Sequence, residues 1–298
     1  LLQRAAGGLL AACEAPDWAE REGAWSVLQS LVRLRWPWAP LVSARLARPD
    51  GWNRVPVLVG TNRDETKLFL FPQRDYTRMW LGFIPRVRNP DLYLAVADAT
   101  SDMWKATGAD LPADAMWQTQ PDVYVYRFDW DEWPSLLGFD AATFLGAAHG
   151  FEIPFVFGHW DLGRQGRFLF REESRASRED LSDAMRSYWA QFAAHGSPGR
   201  GLRDDLPAWS PWDGREGAPK MLLLDSPEGG GLRMSSETVT PASTLAAVDT
   251  DLRLQDQRDR CWVYRELALR SRGFTRADYE NAGRAGCAEY PFDAFPWD

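Results

Sequence analysis

The chain has 298 residues, of which 45% are hydrophobic, enough apolar side chains for the core of one large domain or two smaller ones. Its 34 basic and 42 acidic residues leave a net charge of −8, which argues against nucleic-acid binding because that function needs a basic surface. The longest apolar runs, such as 55–59 and 153–157, are far shorter than a membrane span requires. The first residues contain no initiating methionine and no secretory signal pattern, so we expect an N-terminally incomplete sequence.

The predicted elements alternate between helices and strands, as the spacing of apolar residues indicates. In chain order they are a helix over 21–35, a strand over 54–60, a helix over 91–107, a strand over 122–130, a helix over 177–196, a strand over 220–225 and a helix over 252–270. Strands mixed with long helices indicate an α/β fold. Three strands are few, since a typical sheet has roughly five or six, so we expect them to be part of a larger sheet.

Two of these elements have the clearest patterns. In the strand over 122–130, valines alternate with tyrosines, which is typical of a strand with two different faces. The third helix has Ser177 and Asp180 at its start, a spacing that predicts a capping box, and Gly196 at its end. Residues from about 272 to 298 are rich in proline and aromatic residues without periodicity and predict an irregular tail.

The three cysteines, Cys13, Cys261 and Cys287, are far apart and form no C-x-x-C pair. This spacing argues against a zinc site or a redox-active dithiol. One disulfide with a third, free thiol is compatible with the count, and so is no disulfide. The cysteines therefore leave the redox compartment of the protein open.

One of the three histidines stands apart from the others. His195 is at the end of a predicted helix, where the helix dipole favours a cation, and His159 is in a predicted surface turn. His149 is followed by Gly150, which permits a tight backbone and the close approach of a substrate. His149 is therefore the candidate general base.

A histidine base needs a carboxylate that orients its ring and stabilises the imidazolium ion. The segment "PVLVGTNRDETKLF" at 56–69 supplies two carboxylates, Asp64 and Glu65, in the loop that follows a predicted strand. Functional groups of open α/β sheets lie beyond the carboxyl ends of the strands, so either residue is suitably placed. The spacing alone leaves the choice between Asp64 and Glu65 open.

Several segments, in order, resemble the carboxylesterase type B family, which includes the cholinesterases and the bacterial para-nitrobenzyl esterases. "VPVLVGTNRDETKLFLF" resembles the family segment G-x-N-x-D-E-G, and "GAAHGFEIPFVFG" resembles the segment H-G-x-E-x-x-[FY]-V-F-G. Between them, "PDVYVYRFDW" resembles the family strand that precedes the histidine. Two later family segments are resembled by "MRSYWAQFAAHGSPG" with "LPAWSPWD" and by "RCWVYREL". The resemblance runs from about residue 35 to about residue 268, and Thr66 replaces the family's glycine after the acid.

The resemblance implies an α/β-hydrolase fold, with a mixed, mostly parallel sheet flanked by helices. It also implies a serine esterase that forms an acyl-enzyme with a small carboxylic ester and needs no metal or organic cofactor. Glu65 corresponds to the triad acid and His149 to the triad base, which leaves Asp64 as a structural loop residue. Because no H-E-x-x-H pattern or third ligand accompanies Glu152, we expect it, like Gly150, to support the site and not to bind a metal. The family slightly favours a secreted or periplasmic location.

The triad nucleophile is missing from this sequence. No serine lies in a G-x-S-x-G elbow, and "HGSPG" fails because His195 occupies the first glycine position. The family order is oxyanion loop, serine, glutamate, histidine. We therefore expect residues 1–298 to be the C-terminal portion of one α/β-hydrolase domain, with the missing N-terminal half of that domain as its partner. The alternative is a non-catalytic, cholinesterase-like domain that binds proteins.

Overall fold

The computed structural model describes residues 44–80, 84–135, 138–161, 169–271 and 274–293, and the helix predicted over 21–35 lies outside them. The strands are β1 (Val57–Asn62), β2 (Thr77–Trp80), β3 (Ile84–Val87), β4 (Val123–Phe128), β5 (Met221–Leu224) and β6 (Arg233–Ser235). The helices are α1 (Lys67–Leu70), α2 (Pro90–Lys105), α3 (Leu111–Trp117), α4 (Ala141–Phe144), α5 (Ile153–Phe157), α6 (Arg175–His195), α7 (Pro241–Thr250), α8 (Gln257–Arg270) and α9 (Arg276–Tyr279). A π-helical turn, Ala106–Asp110, joins α2 to α3.

Within the described residues, the main sheet contains four strands in the order β1-β4-β5-β6. β1 pairs in parallel with β4, with Val57 opposite Val123, and β4 pairs in parallel with β5. β6 runs antiparallel to β5, and β2 and β3 form a separate antiparallel hairpin. The connection from β1 to β4 contains α2 and α3, as a parallel pair requires. The predicted α/β fold with a mostly parallel sheet flanked by helices is confirmed.

Local sequence explains where the longest helices begin and end. α2 starts after Asn89, whose side chain accepts a hydrogen bond from the backbone N–H of Leu92. Pro90 occupies the first turn of α2, where a missing N–H costs no hydrogen bond. α6 ends at Gly196, whose φ of 73° is a conformation that glycine adopts readily.

The predicted capping box at Ser177 is wrong. α6 begins at Arg175, after Ser174, and the Ser174 side chain forms no capping hydrogen bond. The hydroxyl of Ser177 instead donates to the carboxylate of Glu132. Ser177 therefore forms a tertiary contact and does not cap the start of the helix in the way that the local pattern predicts.

The predicted start of the last long helix at 252 is also wrong. Asp251 and Arg253 pair through their side chains in a turn. α8 begins only at Gln257, after Asp256, whose carboxylate accepts a hydrogen bond from the backbone N–H of Asp259. The aspartate cap, and not the earlier apolar spacing, determines where this helix starts.

The buried apolar side chains of the described residues form three clusters. One cluster packs α6 against β4 and β5, and a second packs α2 against α8. The third lies around β4, β5 and α3. Trp130, Trp133, Phe151 and Phe155 belong to the first cluster and are at most 9% exposed, so they serve as core packing.

The C-terminal tail is held to α8 by a disulfide between Cys261 and Cys287. The tail contains α9 and is therefore irregular only in part. Tyr279 and Phe292 of the tail are buried, and the Arg265 side chain of α8 lies over the ring of Phe292. Among the described residues, no helix combines the length and the apolar character that crossing a membrane requires.

Candidate active site

Two loops at the carboxyl end of the parallel strands meet at the site. One follows β1 and leads into α1, and the other precedes α5. The backbone N–H of Asp64 donates to the carbonyl of Ala147 at 3.0 Å, and that of His149 donates to the carbonyl of Glu65 at 3.4 Å. These backbone contacts join segments that are far apart in the sequence and place their side chains side by side.

Glu65 and His149 are brought together as a hydrogen-bonded pair. The His149 Nδ1–H donates to Glu65 Oε2 at 2.6 Å, and the backbone N–H of Asn62 donates to the other oxygen, Oε1, at 2.8 Å. The Glu65 side chain is 6% exposed, whereas the His149 side chain is 46% exposed. With Nδ1 occupied by the carboxylate, the neutral ring has its lone pair on Nε2, the nitrogen with which a general base acts.

The surroundings of His149 favour its protonated form. The hydrogen bond to Glu65 raises the pKa of the imidazole above its usual value, and partial burial of the ring opposes this rise. The negative charges of Glu65 and Glu152 raise the pKa further. The ring is thus prepared to accept a proton and to be stabilised as an imidazolium ion.

Asp64 is next to Glu65 in sequence but has different partners. Its carboxylate accepts from Lys67 Nζ at 2.8 Å, from the Arg63 guanidinium at 3.0 Å and from the backbone N–H of Ala147 at 2.9 Å. Burial works against ionisation of Asp64, but the two cations outweigh it and lower the pKa of this carboxyl. Asp64 therefore ties the two loops together, and it is Glu65 that contacts the imidazole.

Asn62, the last residue of β1 and the asparagine of the G-x-N-x-D-E-G segment, is a site residue that the sequence analysis does not single out. Its side-chain amide donates to the carbonyl of Ala148 at 2.7 Å and to Glu152 Oε2 at 2.5 Å. Asn62 is 3% exposed, so this buried amide links the end of β1 to the loop before α5. Glu152 is thereby held beside the histidine loop, where it acts on His149 through its charge.

Two glycines are required by the backbone of the histidine loop. Gly150 has a φ of 81°, a conformation that strains other residues. Gly146 has a φ of 53°, and a Cβ atom built on it would overlap Asp64 Oδ2. Gly150 therefore shapes the turn directly after His149, and Gly146 leaves space for the Asp64 carboxylate.

Two aromatic side chains border the imidazole and were not indicated by the sequence patterns. The ring centroids of Phe69 and Trp104 each lie 5.3 Å from that of His149. Phe69 is 42% exposed and Trp104 is 37% exposed, so both rings reach the surface beside the histidine.

The other two histidines lie outside this site. His159 is exposed in the turn after α5, and His195 is exposed in the last turn of α6, where its Nδ1 lies 3.3 Å from the carbonyl of Gln191. Among the described residues, no group of three or more His, Cys, Asp or Glu side chains is arranged to hold a metal ion.

A mostly parallel sheet with an acid–histidine pair beyond the carboxyl ends of its strands is the architecture of an α/β hydrolase. The sequence profile of the carboxylesterase family matches residues 73–239, which is more than half of the chain. The chain belongs to the carboxylesterase family. The matched segment contains His149, Gly150 and Glu152, and it begins after Glu65.

Individual relatives match part of the chain. It is 29% identical to the fumonisin B1 esterase of Sphingopyxis macrogoltabida, over 52% of this chain and 31% of that protein. It is also 29% identical to the para-nitrobenzyl esterase of Bacillus subtilis, over 48% of this chain and 30% of that protein. A carboxylesterase structure from Geobacillus stearothermophilus is similar over 66% of this chain and 39% of its own, at 21% identity and a TM-score of 0.43. The chain spans about a third of the length of the curated relatives it matches.

Proposed function

We propose that Glu65 and His149 are the acid and the base of a serine-esterase triad whose nucleophile this sequence does not contain. The observation that carries the proposal is the 2.6 Å contact between His149 Nδ1 and the buried Glu65 Oε2, in a histidine whose side chain is 46% exposed. This is the geometry in which a carboxylate selects the tautomer of a catalytic histidine. The absence of a G-x-S-x-G elbow supports the second part of the proposal.

In this proposal His149 transfers one proton in each direction per half-reaction. Its Nε2 takes the proton of the attacking serine hydroxyl as the serine oxygen bonds to the ester carbonyl carbon. It returns that proton to the alcohol as the ester C–O bond breaks, which leaves an acyl-serine. A water molecule then repeats the sequence and releases the acid. Glu65 orients the imidazole and stabilises its charged form throughout.

The first test uses the chain by itself with a p-nitrophenyl ester. The pure 298-residue chain is expected to hydrolyse the ester no faster than its His149→Ala variant, because no nucleophile is present to be activated. Turnover by the pure chain that is lost on His149→Ala would contradict the proposal.

The second test begins with the coding DNA upstream of the codon for Leu1, where we expect a G-x-S-x-G segment. A protein that joins this segment to the 298 residues should hydrolyse the ester, and His149→Ala should lower kcat/KM by at least about a thousandfold. Glu65→Gln should cause a loss of similar order, as the loss of an orienting carboxylate does in other triads. His159→Ala removes an exposed histidine outside the site and is the matched control.

The same absence of a serine elbow favours a second candidate function, a non-catalytic domain that binds proteins. If the upstream sequence has no elbow, or has one with the serine replaced, His149 has nothing to activate. The esterase proposal is then rejected in favour of the binding domain.

A further inference from the structure

The imidazole of His149 belongs to a cluster of three rings. Phe69 and Trp104 are stacked on each other, with centroids 6.3 Å apart and planes 15° apart. The planes of these two rings are tilted by 41° and 55° to the imidazole. The three rings come from α1, from the end of α2 and from the loop before α5, so tertiary structure, and not one local segment, assembles them.

The hydrogen bond to Glu65 fixes only one edge of the imidazole. The rotation of a histidine ring about its last side-chain bond has a broad energy profile, so a single hydrogen bond leaves the plane of a half-exposed ring free to tilt. No other described side chain forms a hydrogen bond to the His149 ring, which means that ring contacts supply the remaining restraint. Phe69 and Trp104 are the rings in a position to supply it.

Trp104 is held by an unusual turn of helix. It directly precedes Lys105, whose ammonium pairs with Asp110 at 2.5 Å across the π-helical turn, and both side chains are buried. Asp110 also accepts a hydrogen bond from the backbone N–H of Val239 at 2.8 Å. A Cβ atom built on Gly108 would lie 3.6 Å from the indole of Trp104, an ordinary van der Waals distance, so the π-helical turn runs alongside the indole. Such π-helical turns occur frequently at functional sites.

Phe69 is held by the loop that carries the acid. Its backbone N–H donates to the carbonyl of Thr66 at 2.9 Å. The Thr66 hydroxyl is in turn buried against Ala97 and Thr100 of α2. The segment that positions Glu65 therefore also positions a ring beside the histidine.

We infer that Phe69 and Trp104 are positioning residues that hold the plane of the His149 imidazole, so that its Nδ1 stays on Glu65 and its Nε2 keeps one direction. The catalytic meaning of this role rests on the proposed esterase function. The positioning itself is a property of the present chain and is measurable without any ester hydrolysis.

The test follows the Nδ1–H proton of His149 by NMR in the full chain. In the wild type this proton is expected to exchange slowly with water, and the neutral ring is expected to be the Nδ1–H tautomer. Exchange should become at least about tenfold faster in Phe69→Leu and in Trp104→Leu, and faster still in the double variant, because each change loosens the ring against Glu65. The tautomer population should become mixed in the double variant.

Conservative variants and a matched control separate positioning from a general structural effect. Phe69→Tyr and Trp104→Phe keep an aromatic ring at each position and should restore slow exchange. Trp80→Leu removes another half-exposed tryptophan, which contacts Arg86 in the β2–β3 hairpin, and should leave the His149 proton unchanged.

Unchanged exchange and an unchanged tautomer in both leucine variants would overturn the inference, as would equal effects from Trp80→Leu. Because the NMR measurement involves no turnover, its failure is distinct from a failure of the esterase proposal. Both rings are more than a third exposed, so each single variant is expected to fold.

Discussion

Asp64 and Glu65 are adjacent residues of one loop, and their carboxylates are almost equally buried, but the two side chains have different surroundings. Asp64 faces two permanent cations, Lys67 and Arg63. Glu65 faces a backbone N–H and a histidine ring. The carboxylate between fixed cations can only hold the loops together, because its partners do not change charge near neutral pH. The carboxylate beside the imidazole can respond to a proton arriving on its partner.

The largest expected difference between the two carboxylates is in their contribution to stability. Asp64→Asn should lower the free energy of unfolding by about 3 kcal/mol, because it leaves the buried ammonium of Lys67 without its anion. The midpoint and slope of urea unfolding measure this change. Asp183→Asn breaks an exposed pair with Arg186 and should cost less than about 1 kcal/mol. Equal costs for the two variants would show that Asp64 is not a structural anchor.

A smaller effect is expected for the connector between the two loops. Asn62→Ala should lower the free energy of unfolding by about 1–2 kcal/mol, because the Ala148 carbonyl and Glu152 lose their buried donor. The backbone N–H that binds Glu65 remains, so the pKa of His149 should stay above its usual value. A titration of His149 that falls to the pKa of a free histidine in Asn62→Ala would place this amide, and not Glu65, in control of the ring.

The smallest effect is the pH dependence of stability that His149 contributes. The pKa of His149 is raised on folding. Its contribution to the free energy of unfolding is therefore fully present below the unfolded pKa of about 6.5 and is lost as the pH rises through the folded pKa. The opposite holds for Asp64, whose lowered pKa makes its contribution disappear only as the pH falls below about 4. Unfolding curves of the wild type and His149→Ala between pH 6 and pH 9 should therefore converge as the pH rises. Curves that diverge with rising pH would contradict the raised pKa.

Much of the sheet was predictable because β1, β4 and β5 are short runs of mostly apolar residues, with valines in β1 and β4 and three leucines in β5. β4 and β5 lie within the ranges that the sequence indicates, and β1 extends two residues past Gly60 to Asn62. β2, β3 and β6 escaped prediction because strands of three or four residues that contain arginine or proline show no usable alternation. The sequence left open whether a disulfide forms, because it does not show that the Cα atoms of Cys261 and Cys287 lie 5.5 Å apart.

The candidate site was predictable in its motifs but not in its contacts. Asp64 and Glu65 were both acceptable on spacing alone, and only the family resemblance favoured Glu65. Asn62 could have been noticed as the polar residue that ends a buried strand. Trp104 could not, because an aromatic residue on a helix resembles a core residue until tertiary packing leaves it 37% exposed beside an imidazole.

The most direct test of the account is an NMR titration of His149 in the wild type, in Glu65→Gln and in Asp64→Asn. We expect the pKa of His149 to lie above about 6.5 in the wild type and in Asp64→Asn, with the Nδ1–H tautomer in the neutral form. In Glu65→Gln the pKa should fall, because the charged acceptor of the Nδ1–H bond is gone. If Asp64→Asn lowers the pKa and Glu65→Gln does not, Glu65 is not the residue that orients and charges this histidine.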